Sequence, residues 1–305
     1  MPITTASIPR TLWPGVNAFW GMAYKEKPKQ YTEIYKILPS TKGWEEDVGI
    51  VRLGLAPIKQ EGLPIQFFTM TQGFIKRYTH VTYGIGFIIS KEAVDDGQYP
   101  QLARQRTGQL AYSLRQTVET VCAGPFNHGF DSSFAGADGI EFFSTVHLNA
   151  GTAGGTWSNT PDTAADLSEA AIEDGCITIR QFTNDKGNRI QSRAIKLLVP
   201  PALEFDAHRI LDSNQQAGNA NNDTNVLRSQ RTVRDGIVVN DYFTDANAWF
   251  LLSDAPEGLK YFDREGESFD IDNEFTTRNG RFIGTVRFSV SWTDARCAYG
   301  SPGVG

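Results

Sequence analysis

The stretch from residue 44 to residue 90 constrains this chain most, because its pattern predicts a long β-hairpin. The first arm runs from Trp44 to Ala56, and the return arm runs from Ile65 to Ile89 with many β-branched and aromatic residues, a composition typical of strands. At about 3.3 Å per residue, such arms would reach roughly 40 Å. A two-stranded ribbon alone is marginally stable in water. We therefore expect a second chain to cover it, as in an assembly protein.

Length and composition describe an ordinary folded protein. The chain has 305 residues, of which 40% are hydrophobic and 21% are charged, enough for one large domain or two ordinary ones. The formal net charge of -6 argues against a protein that reads nucleic-acid sequence, since such proteins present a basic face. It does not argue against a protein that only surrounds nucleic acid.

Cysteine usage and the N-terminus indicate where the chain is made. Cys122, Cys176 and Cys297 are odd in number and widely spaced, so they predict buried thiols in a reducing compartment rather than a disulfide framework or a zinc knuckle. The first residues lack the basic start and apolar core of a signal peptide. No apolar run approaches the roughly 20 residues that span a bilayer. We expect a soluble chain made in a cytoplasm.

The segments on either side of the hairpin differ in character. Residues 1–43 contain five prolines and scattered aromatic residues, which favours an extended arm lying on a neighbouring chain or, alternatively, an irregular segment packed on its own domain. After the hairpin, Pro100 opens a long helix that we expect to end at Gly124-Pro125. An apolar stripe at helical spacing, with Arg115 and Glu119 off the stripe, predicts that the helix backs a sheet along one side; the stripe comprises Leu110, Leu114, Val118, Val121 and Cys122.

The second half of the chain alternates between strand and helix signals, which indicates a mixed α/β domain. We expect a helix from near Asp166 and a second helix opened by Pro200-Pro201. The predicted strands are an island at 140–146, a buried run at 194–199, two short runs at 237–240 and 248–252, and a long terminal strand at 281–299.

No pattern in the sequence predicts chemistry. His80, His128, His147 and His208 lie far apart and match no zinc motif, and phosphate-binding and nucleophile-elbow motifs are absent. Gly84-Ile85-Gly86 lacks the third glycine of a dinucleotide loop and is followed by more strand. Three carboxylates at 270, 272 and 274 would share one face of a strand, where they could hold a divalent cation between subunits, although such a ladder is more often solvated. We predict no catalytic, cofactor or metal site.

The order of these parts resembles a known family. A β-rich run, Tyr83 to Glu92, enters the long helix, and five further segments follow in order. These are Phe143 to Asn149, Trp157-Ser158-Asn159, Leu198 to Leu203, Asn247 to Leu252, and Arg296 to Pro302. Together they resemble tailed-phage major capsid proteins, and look closest to Mu-like major head subunits. The resemblance covers most of the chain, and its specificity comes from many weak motifs in the right order.

The resemblance implies an α+β fold of the Hong Kong 97 type. Residues 1–43 would form the N-arm, 44–83 the extended β-hairpin called the E-loop, 84–149 the first part of the P-domain with a spine helix at 100–123, 150–256 the mixed α/β A-domain, and 257–305 the returning strands of the P-domain. Contacts between subunits would use Pro57, Lys59, Glu61, Gly62 and Pro64 at the E-loop tip, and Trp13, Phe19, Trp20 and Tyr24 in the N-arm.

The same resemblance implies a structural protein rather than an enzyme, without cofactors. Its copies would form pentamers and hexamers that close an icosahedral shell around double-stranded DNA, without sequence-specific binding. A separate scaffolding protein and a portal would be partners, a decoration protein is a further partner that the family allows, and no membrane is involved. The subunit would assemble in the host bacterial cytoplasm and end in the virion. Some relatives link chains through a hairpin lysine; Lys59 and Lys76 lie here, but no partner residue matches, so we predict no such bond.

Three alternatives stay open at this point. An encapsulin-like nanocompartment shell resembles the same fold but encloses a cargo enzyme, and a neighbouring portal, terminase or scaffold gene would separate the two. A soluble α/β enzyme would behave as a compact monomer with turnover of a substrate. A sugar-binding or adhesin protein would also account for a long β-hairpin.

Overall fold

The computed structural model describes residues 20–21, 28–69, 71–90, 92, 99–150, 155–216, 223–274, 276 and 279–304. The chain divides into two compact units. The first unit comprises 1–44, 79–122 and 261–290, and the second comprises 45–78, 123–260 and 291–305. Each unit therefore collects segments that are distant in sequence, which is typical of a fold held by non-local strand pairing.

The described elements follow each other in this order. The strands are β1 Lys36–Pro39, β2 Trp44–Ile50, β3 Gln72–Thr79, β4 Val81–Ile89, β5 His147–Leu148, β6 Thr156–Trp157, β7 Ala194–Val199, β8 Ile237–Val239, β9 Trp249–Ser253, β10 Leu259–Asn273, β11 Gly280–Trp292 and β12 Ala298–Ser301. The helices are α1 Tyr99–Asn127, α2 Glu169–Gln181, α3 Glu204–Asp212 and α4 Val226–Ser229, with 3-10 turns at Tyr31–Glu33, Pro201–Leu203 and Ala295–Cys297. This mixture of separate helices and sheets is the predicted α+β class.

The first unit contains a four-stranded sheet in the order β1-β10-β11-β4. The predicted stripe on α1 is confirmed at its buried positions, since Leu110, Leu114 and Val118 are each at most 4% exposed. Gly284 lies on β11, where a Cβ atom would come within 2.9 Å of the Trp20 ring and 3.4 Å of Leu110. The absence of a side chain at this position lets both residues approach the sheet closely.

The second unit contains another four-stranded sheet, in the order β12-β9-β7-β8. β7 pairs parallel with β8 and antiparallel with β9. Ser168 caps α2, because its hydroxyl accepts a hydrogen bond from the Ala171 amide. The inner side of α2 packs in a core with Leu197, Val199 and Leu251. The buried strand predicted at 194–199 and the short strands near 237 and 249 are confirmed.

The predicted hairpin is shorter than expected. β2 pairs with β3 in a two-stranded ribbon, but β4, predicted to be part of the return arm, pairs antiparallel with β11. Aromatic packing accounts for this choice, since Phe87 stacks on Phe282 at 4.7 Å and Tyr83 packs against Phe288 at 5.3 Å. Strands of seven and eight residues span about 25 Å, not 40 Å.

The helix was predicted to end at Gly124-Pro125, but it ends two residues later. α1 continues to Asn127 with Pro125 inside it. A proline in the last turn removes one backbone hydrogen bond, while Phe126 gains burial against Phe142, Phe243 and Phe250, whose ring centroids lie 5.1–5.6 Å away. The packing of one aromatic side chain therefore holds the two extra residues in the helix.

Two predicted strands were also wrong, one in its existence and one in its extent. The island at 140–146 contains no strand, because Phe142 and Phe143 are both turned into the aromatic core around Phe250. The terminal strand stops at Trp292 instead of continuing to Tyr299. The Asp294 side chain accepts a hydrogen bond from the Arg296 amide and starts a 3-10 turn, after which β12 joins the sheet of the second unit.

Two isoleucines on α2 test the described packing. Ile179 is completely buried, whereas Ile177 on the same helix is 51% exposed. We expect Ile179→Ala to lower the free energy of unfolding by about 2–5 kcal/mol, because it leaves a cavity in the core. Ile177→Ala removes the same atoms from the surface and should cost less than about 1 kcal/mol. Urea denaturation followed by circular dichroism measures both; equal losses would contradict the assigned faces of α2.

Candidate inter-subunit surfaces

The segment that joins the two ribbon strands is an exposed apolar loop. Residues 51–69, which we call the ribbon loop, contain neither strand nor helix. Among their side chains, Leu55 is 78% exposed, Ile58 is 95% exposed and Phe67 is 91% exposed. Leu53, Leu63, Ile65 and Phe68 are also exposed. So many large apolar side chains in one segment mark an interaction surface rather than the scattered apolar residues of an ordinary surface.

The predicted tip residues all lie in this loop and all are exposed; they are Pro57, Lys59, Glu61, Gly62 and Pro64. The Leu63 amide donates a hydrogen bond to the Gln60 carbonyl at 3.3 Å, which closes a turn. Gly62 occupies the third position of that turn with a φ of 81°, a conformation that glycine adopts without steric cost. The tip is thus a defined turn with its side chains in solvent.

The base of the ribbon, by contrast, is fixed by buried polar contacts. Tyr78 is only 2% exposed, and its hydroxyl lies 2.7 Å from the Thr293 hydroxyl. Thr293 and Lys260 both donate to the Asp47 carboxylate on the opposite ribbon strand. Burial lowers the pKa of Lys260, but hydrogen bonds and charges from Asp47 and Glu257 outweigh it and raise the pKa. These contacts therefore fix the base of the ribbon.

The hairpin lysines occupy different environments. Lys59 is exposed at the loop tip. Lys76 donates to the Ala135 carbonyl at 3.2 Å and lies 5.1 Å from the centroid of the Trp292 ring. Burial lowers the pKa of Lys76, while the charge of Asp138 acts in the opposite direction. Lys76 thus contributes to the contacts that fix the base of the ribbon.

Part of the predicted N-arm surface can be placed. Trp20 is buried at 7% exposure, and its ring stacks on Phe269 at 5.0 Å, so within one chain it packs on its own unit. The other predicted arm residues, Trp13, Phe19 and Tyr24, lie outside the described residues.

Residues that follow in the arm are held by a buried ion pair that sequence reasoning missed. Glu119 on α1 is 2% exposed and pairs with Arg115 at 2.9 Å. Its two carboxylate oxygens accept the backbone amides of Gln30 and Tyr31, each at 3.0 Å. Burial raises the pKa of Glu119, and Arg115 and the two amides act against that rise. The i, i+4 spacing was the available signal, but the same spacing is common on exposed helices.

Aromatic contacts complete this anchor. The Tyr31 ring stacks on Tyr261 at 5.0 Å and lies 5.5 Å from the Arg115 guanidinium. The Tyr35 hydroxyl donates to the Cys122 carbonyl at 2.6 Å. Residues 30–35 are thus tied to the long helix and the sheet of the first unit, so the arm before them starts from a fixed point.

The histidines do not share a site. His147 is fully buried, with Nδ1 2.7 Å from Asp138 and Nε2 3.1 Å from Asn159. The Asn159 amide in turn donates to the carbonyls of Phe142, Ala295 and Ala298. This network joins the loop after α1 to the C-terminal segment. His80 lies between the hydroxyls of Ser40 and Ser289, at 3.0 Å from each.

The three cysteines are free and buried, as predicted. Burial raises the pKa of all three thiols, and for Cys176 the pKa is raised to about 11. A reactive or metal-binding cysteine needs a lowered pKa. These thiols therefore serve packing.

Within one chain, the carboxylates at 270, 272 and 274 are not gathered with others into a metal-binding group among the described residues. Across the described residues, no group of three or more histidine, cysteine, aspartate or glutamate side chains is placed to hold a metal ion. The Glu274 carboxylate pairs with Arg281 at 2.7 Å instead. No helix among the described residues is long and apolar enough to cross a membrane.

Comparison with known proteins also indicates a protein that assembles from many copies. The profile of a family described as phage capsid protein matches residues 75–301. A search of curated proteins by sequence found no match. Among solved structures, the procapsid of bacteriophage JBD30 is 15% identical with a TM-score of 0.53, over 98% of this chain and 76% of that one. The capsid of a native GTA particle is 10% identical with a TM-score of 0.54, over 90% and 89%.

An encapsulin complex from Synechococcus elongatus is similar as well, at 9% identity and a TM-score of 0.52, over 91% of this chain and 88% of that one. Identities this low show a common fold, and the fold is the Hong Kong 97 type. The family profile covers well over half of the chain. The chain therefore belongs to the phage capsid protein family, and it is a major capsid protein that assembles into shells.

Substitutions at Glu119 test the arm anchor. Glu119→Ala leaves the Arg115 charge buried without its partner, so we expect a loss of about 3–5 kcal/mol in the free energy of unfolding. Glu119→Gln keeps acceptor capacity and should lose less. Asp206, in an exposed i, i+3 pair with Arg209, is the matched control, and Asp206→Ala should cost no more than about 1 kcal/mol. A loss at Glu119 no larger than this control would refute the anchor.

Thiol labelling tests the burial of the cysteines. A pKa raised from 9.0 to about 11 at Cys176 means a smaller thiolate fraction in the folded chain below that pH, by about a hundredfold near pH 8. We expect iodoacetamide to leave folded protein almost unmodified at pH 8 and to modify all three thiols in guanidinium chloride, as read by intact mass. Rapid labelling of Cys176 in folded protein would contradict this assignment.

Proposed function

We propose that this chain forms the pentamers and hexamers of an icosahedral phage head that encloses double-stranded DNA. The observation that carries the proposal is the ribbon loop, which exposes seven large apolar side chains on a rigidly mounted ribbon. Each fully buried side chain of this kind gains about 1.5–3 kcal/mol over exposure. A neighbouring copy that covers the loop supplies that burial.

The shape of the contact favours closed assembly over a simple dimer. A loop that inserts into a different surface of the next copy makes a heterologous contact, which generates rings or shells when its geometry closes. The tip residues Pro57, Lys59, Glu61, Gly62 and Pro64 then lie at the interface, and the N-arm residues Trp13, Phe19 and Tyr24 extend it. Trp20 acts as the point where the arm leaves its own unit.

The parts of the chain take family roles in this proposal. Residues 1–43 serve as N-arm, 44–83 as E-loop, 84–149 with 257–305 as P-domain, and 150–256 as A-domain. Support comes from the long helix with the sheet β1-β10-β11-β4 and from the separate sheet β12-β9-β7-β8. The turnover of a substrate has no part in this role.

The partners follow from the same role. A separate scaffolding protein and a portal guide assembly in the host bacterial cytoplasm, and a decoration protein is a further partner that this role allows. The net charge of -6 fits a container that holds DNA without binding its sequence, because DNA readers carry a basic face. An encapsulin-like shell shares the fold, so the contents of purified shells separate the two: nucleic acid for a head, a single enzyme for a nanocompartment.

Shortening the ribbon loop tests the proposed function. We expect a chain in which two glycines replace residues 57–64 to fold with wild-type circular dichroism, since the removed residues are exposed, but to form no shells in negative-stain micrographs. Normal shells from this variant would contradict the role of the loop. An unfolded variant would contradict its independence from the subunit core.

A lysine substitution at the tip is the matched control. Because we propose that copies dock by packing and not through a covalent lysine bond, Lys59→Ser should still assemble into shells. Boiled wild-type shells should migrate on denaturing gels as single chains. A ladder of covalent multimers that disappears in Lys59→Ser would show that a lysine bond locks the shell.

A further inference from the structure

The sheet of the first unit has an open edge. β4 ends the strand order β1-β10-β11-β4, and among the described residues only β11 pairs with it. Nine consecutive pairs join the two strands without a bulge, from Gly280 opposite Ile89 to Phe288 opposite Val81. At about 3.3 Å per residue, β4 presents an edge of roughly 30 Å.

This edge lacks the features that normally protect one. Soluble proteins place charges, prolines or bulges on an edge strand to prevent pairing with other chains. Residues 81–89 contain no charged residue and no proline. Val81, Ile85 and Ile88 are 49%, 42% and 59% exposed. An edge of this kind accepts a further strand.

The ribbon loop contains a segment that fits this edge. Residues 64–69, Pro-Ile-Gln-Phe-Phe-Thr, have no charge and no glycine, and β-branched and aromatic residues favour an extended strand. Ile65 is 64% exposed and Phe67 is 91% exposed. A proline at the first position is compatible with strand pairing. The segment therefore has strand-forming composition but no strand partner within the described residues.

Side-chain geometry also matches. Gly84, Gly86 and Ile88 share one face of β4 by their spacing. Side chains of the paired strand lie close to both glycines, with Thr285 3.2 Å and Ile283 3.3 Å from where their Cβ atoms would stand. Aromatic side chains on a neighbouring strand stabilise such edge glycines. Because successive residues of a strand point to opposite faces, one of the adjacent pair Phe67 and Phe68 faces the glycines in either register.

We infer that residues 64–69 of one copy add as a strand to the free edge of β4 in a neighbouring copy. Main-chain hydrogen bonds supply affinity in this mode of recognition, and the phenylalanines supply selectivity. The inference rests on the proposed function, since it needs copies side by side in a shell. It deepens that function by naming the surface that receives the ribbon loop.

Cross-linking between two singly substituted chains tests the docking. One chain carries Phe67→Cys, and a second, tagged chain carries Val81→Cys, Ile85→Cys or Ile88→Cys, so any mixed product is intermolecular. The chains are co-assembled, imaged and treated with a short bismaleimide; the native thiols are buried. We expect a heterodimer from at least one pair, about tenfold above the yield with Ile58→Cys as the loop partner, because docked thiols have a millimolar effective concentration.

The outcomes separate the inference from the proposed function. Shells without any heterodimer above the control would overturn the docking while the capsid role stands, and absence of shells from the wild-type chain would overturn the capsid role itself. If a cysteine variant fails to assemble, hydrogen exchange on wild-type protein decides. Amides in 81–89 should exchange more slowly in shells than in unassembled subunits, and unchanged exchange would overturn the docking.

Discussion

The central feature of the structure is the contrast between the base of the ribbon, which is fixed by buried polar contacts, and its loop, which exposes apolar side chains. At the base, Asp47 gathers donors from Thr293 and Lys260, and Tyr78 is buried beside them. Beyond the base, the ribbon loop carries apolar side chains such as Ile58, which is 95% exposed in a single chain. We propose that another copy supplies the missing burial, and this contact links the subunit to the shell.

The start of the arm follows the same principle. Burying the Arg115–Glu119 pair is costly, and Glu119 offsets part of that cost by accepting the amides of Gln30 and Tyr31. These hydrogen bonds fix the position of residues 30–35 on the long helix. The ribbon loop and the start of the N-arm are therefore both attached to well-packed elements. Docking then does not require these elements to become ordered first. Reduced ordering cost is what lets many weak contacts close a shell.

Local patterns predicted the elements whose environment is local. The stripe through Leu114 on α1 and the buried run at 194–199 are confirmed because burial dictates their periodicity. The partner of β4 was predicted wrongly because the choice depends on Phe282 and Phe288, some 200 residues away. The loop at 140–146 resembles a strand because an aromatic core needs the same apolar residues. The burial of Glu119 was missed because an i, i+4 ion pair has the same sequence spacing whether it lies on an exposed helix face or in a core. The exposed tip residues were placed correctly in the loop, while their contacts with another copy stay a prediction.

The most direct test of the central claim is cryo-electron microscopy of the purified wild-type chain at concentrations that favour assembly. The account predicts closed icosahedral shells, with the ribbon loop of each copy covered by its neighbour at pentamer and hexamer contacts. A sample that contains only compact monomers, with the apolar loop still exposed to solvent, would contradict it.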